Sequence, residues 1–133
     1  MNVKEDQAKE FLAKNHRAVM ATIRSDGMPQ MSNVAQAYLD GKIEVSTRSA
    51  SAKVRNLRRD SRVTMLVLGD ESWYQYVVVY GTVEIVDLPA AAPELRRIYQ
   101  FIAGEHQDWN EYDQAMIEEG RVVLRVAIDR IVA

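Results

Sequence analysis

Polar and apolar residues alternate with a period of two over most of this chain, and three or four stretches switch to helical spacing. Residues 3–15 place Val3, Ala8, Phe11 and Leu12 on one helical face, which predicts an amphipathic helix covering the open end of a sheet. "RAVMATIR" alternates, with Val19, Ala21 and Ile23 as its more apolar set, and Asp26-Gly27 follows as a hairpin signal. A second strand, about residues 30–39, is expected to turn at Asp40-Gly41 into a third, "KIEVST", giving an antiparallel meander. "RVTMLVLG" puts Val63, Met65 and Val67 on one face, and the long strand "WYQYVVVYGTVEIV" carries Gly81 where a bulge or bend is expected. "LPAAAPELRRIYQFIAG" reads as a helix with Pro93 near its start and Gly104 as C-terminal cap. In "DWNE", Asp108 and Glu111 have the spacing of a capping box, and "RVVLRVAIDRIV" closes the chain with Val122, Leu124, Val126 and Ile128 alternating.

Six strands, three or four helices and no strand–helix alternation predict a mainly β fold with flanking helices, a small antiparallel barrel rather than a doubly wound sheet. The 133 residues make one domain, 1–133, large enough for a real core. The chain contains no cysteine, which excludes disulfides, thiolate nucleophiles and Cys-ligated metal centres. The charged N-terminal stretch lacks a signal-peptide pattern, and no apolar run approaches the ~20 residues that span a bilayer, so a cytoplasmic protein without membrane association is expected. A net charge of -2 argues against a nucleic-acid partner, which needs a basic field over a whole face.

Glycine-rich dinucleotide and phosphate-loop motifs and the Gly-x-Ser-x-Gly elbow are all missing. His16 and His106 lie far apart without partners at ligand spacing, so no metal site is expected; Glu105, His106 and Asp108 read as the joint between two helices. The local exception to the acidic balance is "SAKVRNLRRDSRV", residues 51–63, with Lys53, Arg55, Arg58, Arg59 and Arg62. It reads as a helix capped by Ser51, with Val54 and Leu57 facing the core. Unpaired N–H groups at its start and the nearby Lys53 ammonium would suit a phosphate, although a charge run of this kind also suits a solvated helix face. Trp73, Tyr74 and Tyr76 could stack on a flat ring or belong to a core or interface.

The order of short helix, "AVMATIRSDGMPQMSNV", "IEVSTRSASAKVRNLRRDSRVTMLV" and "YVVVYGTVEIV" resembles the pyridoxamine 5'-phosphate oxidase-like split β-barrels. "AKVRNLRRD" and "IAGEHQDWNEYDQAM" resemble, more narrowly, the actinobacterial branch that uses the deazaflavin coenzyme F-420. The resemblance implies a six-stranded split β-barrel and a homodimer with two cofactor sites at the subunit interface. It implies that Met31, Ser32, Asn33 and Val34 run along the cofactor ring with Gln30 nearby, and that Ser46, Thr47, Ser51, Lys53 and Asn56 hold the ribityl chain and phosphate. Arg55 would assist, and Trp73 would reach toward the other subunit's site.

Two departures shape the expectation. FMN-binding oxidases of this family carry basic residues where this chain has Ser32 and Ala37, and each missing charge-assisted bond would cost ~1.5–3 kcal/mol. The sequence also ends at "DRIVA" without the Arg-His substrate tail of the vitamin B6 oxidases, so that activity is not expected. F-420 bears a phosphodiester and a glutamate tail, for which Arg48, Arg55, Arg58 and Arg59 offer extra cations. The expected activity is hydride transfer from reduced F-420 to a conjugated acceptor such as an enone, quinone or tetrapyrrole. The alternatives are an FMN-dependent reductase of the same fold, or a non-catalytic F-420 or FMN carrier. No residue is assigned as a proton donor; Tyr38 and Tyr76 qualify by type alone.

Overall fold

The structure, a computed structural model, describes residues 3–133, with the side chain of Val3 outside the described residues along with residues 1 and 2. In chain order the elements are α1 (Val3–Lys14), β1 (Arg17–Ile23), β2 (Pro29–Ala35), β3 (Ala37–Leu39), β4 (Lys42–Arg48), α2 (Ala52–Arg59), β5 (Arg62–Leu68), β6 (Tyr76–Val86), α3 (Ala92–Ala103), α4 (Trp109–Glu118) and β7 (Arg121–Val132). The strands form one antiparallel sheet of seven, in the order β2-β1-β5-β6-β7-β4-β3.

That order fixes the shape. The two edge strands, β2 and β3, are consecutive in sequence and separated only by Gln36. Laid flat, seven strands at ~4.8 Å spacing would hold those edges ~29 Å apart, yet Ala35 and Ala37 can be at most ~7.6 Å apart along the chain. The sheet therefore curls until its edges meet at that end, and the rest of the seam stays unpaired: a split barrel.

The stretch expected as one strand over 30–39 is thus two strands on opposite edges, which raises the count from six to seven and replaces the continuous meander with two separate hairpins, β1–β2 and β3–β4. The cause is Gln36, fully buried. Its side-chain amide donates to Leu12 O at 2.7 Å and Asn15 O at 2.6 Å, and its backbone N–H to His16 O at 2.8 Å. These bonds draw the chain toward the end of α1 and out of the ladder.

Inside the barrel, Met20, Ile43, Val45, Met65, Val67, Val79, Leu124 and Val126 pack with Ala8 and Leu12 of α1 and Val54 and Leu57 of α2. On β1 the buried residues are Ala18, Met20 and Thr22, not the Val19, Ala21, Ile23 set. Register decides this: Ala18 and Met20 lie opposite Val67 and Met65, the unambiguous core face of β5, whereas Val19 lies opposite outward-facing Leu66. A second apolar layer packs outside the barrel, where Leu95 and Ile98 of α3 and Tyr112 of α4 cover Ala37 and Val123. α3 begins and ends as expected, with Pro93 in its first turn and Gly104 as C-cap at φ 83.

Gly81 sits where the β6–β7 register shifts. A Cβ there would lie 2.4 Å from Ala127 O and 2.8 Å from Val126 Cγ1, so the two strands can approach only over a bare backbone.

Candidate functional site

α2 has apolar residues for one face only. Val54 and Leu57 are buried, and Asn56 joins them with 8% exposure by donating from its amide to Thr22 Oγ1 at 3.1 Å. This pins the helix across the end of β1 and leaves its cations to choose among nearby acceptors. Arg58 pairs with Asp87 at 3.0 Å, and Arg62 with Asp60 at 2.8 Å. Arg59 donates to Ile23 O at 2.7 Å and Asn56 Oδ1 at 3.2 Å, while Arg55 folds back onto Ala50 O at 2.7 Å. Four of the five basic side chains of this stretch are therefore committed within the fold.

Lys53 is the exception. Among the described residues it has no hydrogen-bond or ion-pair partner; it is half-buried, and burial first, then the charge of Arg121, lowers its pKa from the usual 10.5. An ammonium held in partial burial beside a second cation is electrostatically short of an anion. Ser51 occupies the N-cap position of α2 but makes no capping bond, in contrast to the sequence expectation; its Oγ is buried without a partner.

β2 is an edge strand, so one side of its backbone lacks a ladder partner. Gln30, Ser32 and Val34 point to the more covered face, and Met31 and Asn33 to the exposed one. Ser32 Oγ is buried and unpartnered, and Gln30 Nε2 reaches only Met31 O at 3.3 Å. The seam brings β2 close to β4, and α2 packs on both β1 and β2. Ser46 and Thr47 belong to the end of β4, and Thr47 is buried toward the barrel. Gln30, Thr22 and Asn56 thus meet where the C-terminal half of α2 crosses the end of β1, with Ser32 two residues further along β2, Ser51 and Lys53 at the opposite end of α2, and Ser46 and Thr47 at the end of β4 that leads into that helix.

Trp73 is not brought to this cluster within one chain. It is 80% exposed in the β5–β6 turn, whose Asp70 pairs with Arg17 at the start of β1. α2 binds the other end of the same strand at Ile23, and seven residues of β-strand separate the two by ~20 Å.

Sequence reasoning missed Thr22, hidden as an ordinary strand residue, and Arg121. The latter is the first residue of β7, opposite Arg48, and both guanidinium groups contact Glu119 Oε1, at 2.9 and 3.2 Å. The alternation over 122–128 marked a strand but not its neighbour, so nothing in the sequence tied Arg121 to Lys53.

The "GEHQDW" joint is structural in form. Asp108 accepts from Glu111 N at 3.1 Å as expected of a cap, but the returning bond comes from elsewhere: Asp108 N donates to His106 Nδ1 at 2.9 Å. His106 stacks among Tyr99, Trp109 and Tyr112, with Arg96 5.3 Å above the Trp109 ring. Burial pushes the Tyr112 hydroxyl up to about 12, and it donates to Leu95 O at 2.8 Å.

Chemically, the cluster offers unsatisfied hydroxyls, side-chain amides, an edge backbone and one unpaired cation, and no group of three His, Asp or Glu able to hold a metal among the described residues. The orphaned Ser32 and Ser51 oxygens and the lone Lys53 ammonium suit a ligand that is both anionic and rich in hydrogen-bonding groups.

Three solved structures share the fold. A conserved hypothetical protein from Mycobacterium tuberculosis is 28% identical, with a TM-score of 0.77 over 98% of this chain and 82% of that one. An F420 reductase is 24% identical, with a TM-score of 0.74 over 93% of this chain and 94% of its own. General stress protein 26 from Bacillus anthracis is 15% identical, with a TM-score of 0.68 over 96% and 91%. The sequence profile of the pyridoxamine 5'-phosphate oxidase family matches residues 5–133, and with its curled antiparallel sheet and flanking helices the chain belongs to that family.

Proposed function

We propose that this protein is an F-420H2-dependent reductase, transferring hydride to a conjugated small-molecule acceptor, and that it works as a homodimer. The observation carrying the cofactor part is Lys53, the one cation of its stretch left unpaired, beside the orphaned Ser51 hydroxyl. In this reading Ser46, Thr47, Ser51, Lys53 and Asn56 hold the phosphate and ribityl chain, assisted by Arg55. Gln30 and the edge backbone from Met31 through Ser32 and Asn33 to Val34 line the ring. Because Met31 and Asn33 point away from Ser32 and Val34, the backbone rather than the full set of side chains forms this contact.

FMN is the alternative cofactor. Two features favour F-420. Ser32 carries no charge, and Ala37 is fully buried beneath α3, so neither position supplies the cations that FMN oxidases use. A solved structure of the same fold is an F420 reductase, which makes the assignment worth testing first.

When bound and reduced, a deazaflavin supplies a hydride, two electrons together, and reacts slowly with oxygen. The residues of this chain bind and orient: Lys53 and the hydroxyls fix the phosphate end, and the β2 edge fixes the ring's polar rim. No residue of this chain is assigned as the proton donor to the acceptor.

The dimer is supported by the outer face of the sheet. Val19, Leu66, Val78 and Val132 lie in register across four strands, beside Met31, Tyr76 and Tyr80, which are 62%, 53% and 43% exposed. A second copy would cover this apolar face and could bring its Trp73 to the cluster. Purified protein mixed separately with F-420 and FMN, followed by chromophore quenching and by loss of F-420H2 with an enone and a quinone, tests the proposal. Saturable F-420 binding with turnover supports it, FMN preference replaces the cofactor, and binding without turnover on any acceptor identifies a carrier.

A further inference from the structure

The hydrogen bonds between α2 and the β1–β2 hairpin run in one direction. Arg59 can only donate, and its Nη2 gives bonds to Ile23 O at 2.7 Å and to Asn56 Oδ1 at 3.2 Å. With its oxygen held by the guanidinium, the Asn56 amide turns its nitrogen the other way, and Nδ2 donates to Thr22 Oγ1 at 3.1 Å. Thr22 is fully buried, so the hydrogen of its hydroxyl needs an acceptor inside the protein. Gln30 stands directly opposite Thr22 in the β1–β2 register, and its Oε1 lies 3.5 Å from Thr22 Oγ1, the long link of the series. Reversing the Gln30 amide would leave the buried Thr22 O–H with no acceptor among the described residues. Reversing Asn56 would point its N–H groups at the guanidinium. One donor-only residue on α2 thus sets the polarity of each group down to the β2 edge, where Gln30 ends the series with Nε2 away from Thr22.

That last group is open to solvent. Gln30 is half-buried on an edge strand, and its Nε2 reaches Met31 O at 3.3 Å on the exposed side, beside a Met31 that is itself 62% exposed. Of the two N–H groups on Nε2, one has no acceptor among the described residues. A glutamine standing alone could present either end of its amide to a ligand; here the buried series selects the donor end.

We propose that Arg59, Asn56 and Thr22 are positioning residues that fix the Gln30 amide with an N–H toward the ligand, so that this point of the site takes a hydrogen-bond acceptor such as a ring carbonyl oxygen and rejects a donor. This rests on the reading that the β2 edge lines the cofactor ring, and adds the polarity of that contact and the residues that impose it. F-420 and FMN both carry ring carbonyls, so the relay bears equally on both. Arg59 then serves the site through Asn56 rather than as a charge for an anionic tail.

Neutron diffraction from deuterated, unliganded protein tests the polarity. Deuterium is expected on Thr22 Oγ1 toward Gln30, and on the Gln30 nitrogen facing away from Thr22. Equilibrium titrations with F-420 and with FMN test the role, using wild type, Thr22→Val, Thr22→Ser, Gln30→Met and the Thr22→Val/Gln30→Met double variant. Thr22→Val, close in shape but without the hydroxyl, is expected to bind roughly 3- to 10-fold more weakly, the range of one neutral hydrogen bond, and Thr22→Ser to bind like wild type. Beside Gln30→Met, the Thr22→Val change should cause no further loss, whereas a merely structural Thr22 would weaken binding in both backgrounds. Should Thr22→Val not fold, Arg59→Met, at an exposed position, releases the series from its other end and is judged with and without Gln30→Met. A Gln30 nitrogen facing Thr22, wild-type affinity in Thr22→Val, equal losses with and without Gln30, or no saturable binding of either cofactor to wild type overturns the proposal. The expected pattern with FMN and no binding of F-420 leaves the relay standing and removes the F-420 reading instead.

Discussion

The cations of residues 51–63 look equivalent in sequence and are not equivalent in the fold. Arg58 and Arg62 are paired with carboxylates, so their removal should cost little binding, whereas Arg55 and Arg59 are tied to carbonyls and Lys53 has no partner within the fold. Because burial and Arg121 lower the Lys53 pKa, cofactor affinity should fall as pH rises toward that pKa, below the 10.5 of an ordinary lysine, and the fall should be absent in Lys53→Met. A binding-pH profile of the two proteins checks this. Glu44 shows the opposite case. Arg125 holds its Oε1 at 2.9 Å, but Oε2 is buried without a partner, and burial outweighs the ion pair and raises the carboxyl pKa above 4.5. A folded-state carboxyl pKa raised above its unfolded value gives stability that is present below the unfolded value and lost as pH rises through the folded one. Denaturant titrations from about pH 4 to pH 8 should show this loss in wild type and a flatter profile in Glu44→Gln.

At the scale of elements, legibility depended on whether local pattern or distant pairing carried the information. α3, α4 and β5 were readable because their caps and alternation are local: Pro93, Gly104, Asp108 and the Val63, Met65, Val67 face stand where the sequence put them. The face of β1 was not, because Ala18, Met20 and Thr22 differ too little from Val19, Ala21 and Ile23, and only pairing with β5 separates the two sets. The break at Gln36 was equally hidden, since a glutamine within a polar strand gives no sign that α1 will claim its side chain. The residues proposed for the cofactor on β2, β4 and α2 were named through family resemblance, and Arg121 was missed because its place opposite Arg48 depends on β7 pairing with β4. Gln36→Ala should destabilise the fold by roughly 2–3 kcal/mol, since Leu12 O and Asn15 O each lose a buried donor, as urea denaturation would show. Gly81→Ala should cost roughly 1–3 kcal/mol or more by the same assay, because backbone, not a flexible side chain, fills the space its Cβ needs.

Across the whole molecule, one topological fact links fold and site. Two edge strands joined through a single residue force the sheet to curl, and the seam that remains presents the β2 edge near β4 and α2. The same curl leaves the β1, β5 and β6 outer face apolar, where a second copy would cover it. Leu66→Glu places a charge at the centre of that face, opposite Val19 and Val78. Sedimentation should then report a monomer, with cofactor binding lost alongside the dimer if Trp73 of one copy completes the cluster of the other. The most direct test of the central claim is equilibrium titration of F-420 into wild type, Lys53→Ala and Lys9→Ala. The account predicts saturable binding to wild type, at least ~10-fold weaker binding to Lys53→Ala and no change in Lys9→Ala. Wild-type affinity in Lys53→Ala, or no F-420 binding by a wild type that takes up FMN, would contradict it.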